Sequence, residues 1–328
     1  MGTARIIVGV LAMVFLPMLA IGADPPPTST SSLVIHGVNS GVNNGVNEGV
    51  LPAMSVDDWI NLALVIGGPL VVLGLWLGNI IRPGSLKSGG IRGVASHPTW
   101  VWLMAAVVTI IFAQAARSGS GELLGLFKIG AGDERGKALL TLGYIVPGAV
   151  ICLFLGYLLD AKGDAGLHAA AVDFPIGLGC LLLAIPAVSG AQIAASWIHH
   201  TIMETQPEPI SHMALKTLAG NPHDLWVWVS ISSAVLLSPL FEEYLYRGFV
   251  QSALVRFGGS PGIAIVCTSA IFTSMHWGVI TTWYGLVPIF MLSLAVGIAF
   301  ERTKRIGVPI VMHMVFNAMN VALVALAK

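Results

Sequence analysis

The chain has 328 residues, of which 55% are hydrophobic and only 10% charged, with a formal net charge of zero and a mean hydropathy of +0.84. A soluble domain carries about a quarter charged residues, so a surface this poor in polar groups requires lipid as part of its solvent. No polybasic block points to nucleic acid. Cys152, Cys180 and Cys267 each stand alone in an apolar run and read as small buried residues, neither a disulfide frame nor a zinc knuckle.

Residues 1–23 have one basic residue, Arg5, an apolar run from Ile6 to Ile21 and the small residues Gly22-Ala23 before Asp24-Pro25. This pattern predicts a secretory signal peptide, with an uncleaved anchor helix as the alternative. Residues 24–55 carry prolines, a Thr/Ser tract and a short Gly-Val-Asn repeat from Gly37 to Glu48. They predict a disordered low-complexity linker with no chemistry.

Apolar runs then recur near Trp59–Ile81, Thr99–Ala116, Leu139–Leu159, Phe174–Trp197, Leu225–Val250, Ile263–Trp277, Trp283–Phe300 and Val308–Leu326. Most approach the roughly 20 residues that cross a hydrocarbon core. The expected fold is all-α and polytopic, with about eight transmembrane helices after the signal peptide. N-terminal helices would occupy 56–198, a loop 199–224 and a catalytic set of helices 225–328. Trp59, Trp100, Trp102, Trp197, Trp226, Trp277 and Trp283 fall near the proposed helix ends, as an aromatic belt would.

With the N-terminus outside, the inner segments hold Arg82, Lys87, Arg92, Lys162, Arg247, Arg256, Arg302, Lys304 and Arg305. The outer ones hold Arg117, Lys128, Arg135, Lys137, Lys216 and Lys328. This positive-inside bias favours a multi-pass protein of the plasma (inner) membrane in that orientation. The loop 199–224 contains His199, His200, His212 and His223. They lack ligand spacing, and Pro207 and Pro209 interrupt them, so the expectation is a solvated loop with an interfacial helix.

Chemistry concentrates in the last hundred residues. Glu242 and Glu243 lie in the apolar stretch Phe241-Glu-Glu-Tyr-Leu-Tyr-Arg-Gly248, and carboxylates in a membrane helix are costly and functional by default. Neighbouring helical positions point about 100° apart, so the two glutamates cannot share a role. Glu243 and Arg247, at i and i+4, predict a bracing ion pair. Glu242 is left facing another helix as a desolvated carboxylate of the kind a general base requires. A purely structural ion pair at a helix end is the competing reading. His276 lies on the next apolar run, and His313 and Asn317 share one face of the last, with Asn320 one turn on. Taken singly, each could be a hydrogen-bonded packing residue.

Depth tests whether these groups can meet. About 16 residues separate Glu242 from the Gly258–Pro261 turn and about 15 separate it from His276, so both lie roughly 22–24 Å along an antiparallel pair. Counted from Arg305, His313 is only about 12 Å deep. A tilted last helix, or one starting below the surface, would close that gap.

Glu-Glu-x-x-x-Arg, Phe-x-x-x-His and His-x-x-x-Asn, in this order and spacing, resemble the CAAX protease and bacteriocin-processing family of membrane proteins. That family includes the type II CAAX prenyl endopeptidase and the Abi immunity proteins. The resemblance spans roughly Trp226–Leu326 and includes Glu301-Arg302-Thr303. It implies Glu242 as the base that activates water, His276 beside it, His313 and Asn317 at the oxyanion, and Glu243 with Arg247 in support. No cofactor is favoured. A zinc held by Glu242, His276 and His313 is the alternative. The expected partners are membrane lipid and a membrane-associated or secreted peptide substrate, whose prenylation the motifs do not imply. A non-catalytic immunity or binding protein and a proton-coupled transporter are the competing functions. The first four helices repeat nothing of the site, which speaks against the transporter.

Overall fold

A computed structural model describes residues 56–326 other than 83, 89 and 91. The expected signal peptide and linker lie outside the described residues. By internal contacts the chain divides into Met1–Ala63 and Leu64–Lys328, and the second unit contains every residue singled out for chemistry.

The helices are α1 (Val56–Leu77), α2 (Thr99–Leu126), α3 (Glu134–Leu159), α4 (Asp173–Met203), α5 (Met213–Gly220), α6 (Leu225–Gly258), α7 (Pro261–Ser274), α8 (Trp283–Thr303) and α9 (Gly307–Leu326). There is no β-strand among the described residues, and the fold is all-α. Seven of these helices are long and apolar enough to span a membrane. The eighth expected span, α7, has only 14 residues. It ends where Ser274 Oγ turns back to donate to Ile271 O, the local competition that frays helices at serine. His276 therefore sits in the turn beyond α7 and not within it.

Large apolar side chains such as Ile66, Leu70, Leu73 and Trp76 on α1 face outward, which only a lipid solvent makes favourable. Trp100, Trp197 and Trp277 are exposed near helix ends, but Trp102 is fully buried and donates Nε1–H to Val94 O, so it belongs to the interior and not to a belt. Cys152 is buried, Cys180 half-buried and Cys267 exposed, all as free thiols; the expectation of burial fails for Cys267, whose face of α7 looks away from its neighbours.

Inside the bundle, Leu181 and Val188 of α4 pack with Leu292, Val296 and Ala299 of α8 and Val308 and Met312 of α9. Helix α3 approaches α6 through glycines. A Cβ on Gly148 would lie 2.7 Å from the Phe241 ring, and one on Gly156 would lie 2.7 Å from the Tyr244 ring. Small residues at such crossings let helices close on each other where no hydrophobic force drives them together.

The two ends of the bundle are tied differently. At one end, the buried Arg92 guanidinium grips Glu301 at the end of α8 through Nη2 (2.8 Å) and Nε (3.2 Å). It also donates to Ala165 O and Ser252 Oγ. Arg305 pairs with the buried Asp173, and Ile306 N donates to Gly166 O at 2.8 Å. The first residues of α9 are thus buried under the 160–173 loop, which answers the depth problem of His313: the last helix starts inside the protein. At the opposite end, residues 204–212 and α5 form a strap joined to the 275–284 turn.

Candidate active site

Helix α6 builds the centre of the site. Its N-terminus is capped by Asp224, whose Oδ1 accepts from Trp226 N (2.7 Å) and Val227 N (3.3 Å), satisfying two of the four free N–H groups there. Pro239 withholds an N–H from the preceding turn. From Tyr244 to Gln251 the helix widens into a π-turn whose eight residues are all buried. Such insertions re-aim side chains, and they occur often at functional sites.

Glu243 and Arg247 face each other across this widened turn, Arg247 Nε standing 3.1 Å from Glu243 Oε2, with both side chains essentially without solvent. Arg247 also donates to Ser293 Oγ (2.7 Å) and Ser293 O (3.2 Å) on α8, and its guanidinium lies 4.6 Å over the Phe272 ring of α7. The other oxygen of Glu243 accepts from His313 Nδ1 at 2.8 Å. A continuous buried chain therefore runs Ser293–Arg247–Glu243–His313 through α8, α6 and α9. It holds the imidazole of His313 in one orientation, with Nε2 turned to the next carboxylate.

That carboxylate is Glu242. Its Oε1 accepts from Ser238 Oγ, one turn earlier on α6. Its Oε2 is buried with no hydrogen-bond partner among the described residues and stands 4.0 Å from His313 Nε2. His276 is held by its Nδ1, which donates to Phe272 O at 2.8 Å. The Phe272 ring lies between the histidines, 4.5 Å from His276 and 5.8 Å from His313. Both histidines thus spend Nδ1 on protein acceptors and keep Nε2 for the site. Asn317 is placed otherwise: its Nδ2 donates to Ala234 O across α6 and α9 at 3.0 Å, which uses one amide hydrogen and leaves the second. Asn320 bonds its own helix at Phe316 O.

Glu242, Glu243, Arg247, His276 and His313 are brought into one cluster, and Asn317 is anchored one turn away. Among the described residues no three His, Cys, Asp or Glu side chains form a group that could hold a metal ion. Ser238 and Ser293 had no separate signal in the sequence. Ser238 was accessible from its i−4 spacing to Glu242, but Ser293 is a lone hydroxyl in an apolar run and only the packing of α8 on α6 singles it out.

Residues 224–319 match a family model described as type II CAAX prenyl endopeptidase Rce1-like. The C-terminal segment is therefore similar to that family. The match begins at the Asp224 cap of α6 and ends in α9, so it contains the five residues of the cluster and Asn317, and leaves out α1–α5. This match over the C-terminal segment, with the seven long apolar helices, supports a CAAX protease-type enzyme embedded in a membrane as a multi-pass protein. No curated protein and no solved structure matches the chain.

Proposed function

We propose that the chain is an intramembrane endopeptidase that hydrolyses a peptide bond of a membrane-associated or secreted peptide at the Glu242–His276–His313 cluster. The observation that carries this reading is the buried, unpartnered Oε2 of Glu242 facing His313 Nε2 across 4.0 Å. A stable fold does not leave a carboxylate oxygen without a partner at no cost, and a water held between these groups would lie against the Glu242 base.

In this mechanism Glu242 takes a proton from water, whose oxygen attacks the scissile carbonyl carbon. His276 Nε2 accepts a hydrogen bond from the second water hydrogen, which stays on the attacking oxygen, and so orients the attack. The oxyanion is met by Asn317, through its remaining amide hydrogen, and by His313. With Nδ1–H on Glu243, a proton held at Nε2 makes His313 a donor toward the developing charge. Glu242 then returns its proton to the leaving nitrogen as the C–N bond breaks. Ser238 ties one oxygen of Glu242, which supports the other oxygen as the base.

No metal is needed for these steps. Treating the purified enzyme with 1,10-phenanthroline is expected to leave cleavage unchanged, and a loss restored by zinc would overturn the metal-free route. The Lys and Arg distribution favours the Arg92 end inside and the strap outside in a plasma membrane. The central experiment is substrate trapping with Glu242→Gln. The variant should fold, hold peptide and lose kcat by roughly 10²–10⁴-fold, the usual contribution of a general base. A Glu242→Gln variant that cleaves as the wild type does would sink the proposal.

A further inference from the structure

The strap at the outer end of the bundle is built onto the turn that carries His276. Met213 N donates to Val279 O (3.0 Å), and Thr281 N donates to Ser211 O (2.9 Å), a minimal antiparallel ribbon centred on the pair His212–Ile280. Ile280 N in turn donates to His276 O at 2.9 Å. Side chains reinforce the ribbon: Thr282 Oγ1 donates to Ser211 Oγ (2.7 Å), Lys216 Nζ bonds Glu208 Oε2 (2.5 Å) and Thr281 Oγ1 (3.0 Å), and Glu208 N donates to Tyr284 OH (2.7 Å). On its other side α5 packs through Leu218 and Ala214 against Val227, Ile231 and Val321 of α6 and α9. One backbone pairing therefore separates His212 from His276, at the mouth of the proposed site.

The tautomer of His212 follows from its cap. Its Nδ1 accepts from Ala214 N at 3.2 Å as the N-cap of α5. An acceptor at Nδ1 leaves the ring hydrogen at Nε2. Burial, and then the neighbouring His276, lower its pKa to about 4, so the ring stays neutral through the physiological range. His212 is a half-buried neutral N–H donor beside a histidine of the cluster, and it lies outside the family match.

We infer that His212 is a substrate-positioning residue, its Nε2–H donating to a backbone carbonyl of the bound peptide next to the bond that His276 and Glu242 attack. This inference rests on the protease reading. A peptide entering between α6, α7 and α9 must bring unpaired carbonyls into the site, and a neutral donor satisfies one without neutralising Glu242.

The test uses the full chain in nanodiscs and a fluorogenic peptide that the wild type cleaves. His212→Ser preserves a cap acceptor for α5 but does not reach the substrate. It should raise KM about five- to tenfold, the weight of one neutral hydrogen bond, with kcat unchanged. His212→Asn caps and donates, and should recover part of the loss. In the Glu242→Gln background, a photoreactive peptide should label residues 211–213 of the strap, a readout independent of how the His212 variants fold. A wild-type KM in His212→Ser, or adducts that avoid the strap, would overturn the inference while leaving the protease standing. A wild type that cleaves no member of a membrane-peptide library would overturn both.

Discussion

At the scale of single residues, the site depends on which charges have partners. Glu243 is doubly used, by Arg247 and by His313, whereas Glu242 keeps one oxygen free. Adjacent in sequence, they are turned to different neighbours by the 100° step of the helix. Glu243→Gln removes the counter-charge of a buried guanidinium and should destabilise the fold by about 3–5 kcal/mol, read as a lowered Tm in detergent. Glu242→Gln should leave Tm within a few degrees of wild type while lowering kcat by roughly 10²–10⁴-fold. A variant pair with the reverse pattern would exchange the two assignments. Here the i, i+4 spacing of Glu243 and Arg247 was legible in the sequence, but the pairing of Glu243 with His313 was not, because no local rule links residues 70 positions apart.

At the scale of elements, α6 is the piece on which the site turns. Its π-turn and its contact with α3 fix where Phe241 and the glutamates stand. Gly148→Leu would drive a side chain into the Phe241 ring. It should cost about 1–3 kcal/mol through overpacking and lower kcat by moving Glu242, as thermal unfolding and kinetics on one preparation would show. The strap carries its own pH signature. His212 has a folded pKa lowered to about 4, against about 6.5 when unfolded. Below 6.5 the unfolded strap binds a proton that the folded one refuses. Stability is therefore complete above pH 6.5, falls as pH drops, and levels off below 4. The protection factors of residues 211–216, their exchange rates relative to the intrinsic rate at each pH, should fall across that window in the wild type and much less in His212→Ser; an equal fall in both would assign the effect elsewhere. Within the expected loop 199–224, α4 runs on to Met203 and Met213–Gly220 forms a short helix, while His199 packs 4.6 Å from the Tyr284 ring and His212 is half-buried. Four histidines without ligand spacing gave no hint of a ribbon whose partner lies at residue 280.

At the scale of the whole molecule, the Arg92–Glu301 fork closes the end opposite the strap and, with Gln251 Nε2 on Glu301 Oε1 at 2.8 Å, ties the loop after α1 to α6 and α8. Arg92→Met should cost about 3–5 kcal/mol by stranding Glu301, while the double variant Arg92→Met, Glu301→Met should regain most of it. Thermal unfolding of the three proteins decides, and a double variant no better than the single one would show that the fork itself supplies net stability.

The amino-acid sequence alone determined the solvent, the helical class and the cluster of candidate groups, because apolar run length and i, i+4 spacing are local properties of a chain. It also set Glu242 and Glu243 in different directions on one helix. Only the tertiary structure decided that α7 stops short of His276, that α9 begins beneath the 160–173 loop and so carries His313 to Glu243, and that Asn317 spends a hydrogen on Ala234 O. Each of these rests on a contact between residues distant in sequence, where packing rather than periodicity sets the depth and direction of a side chain.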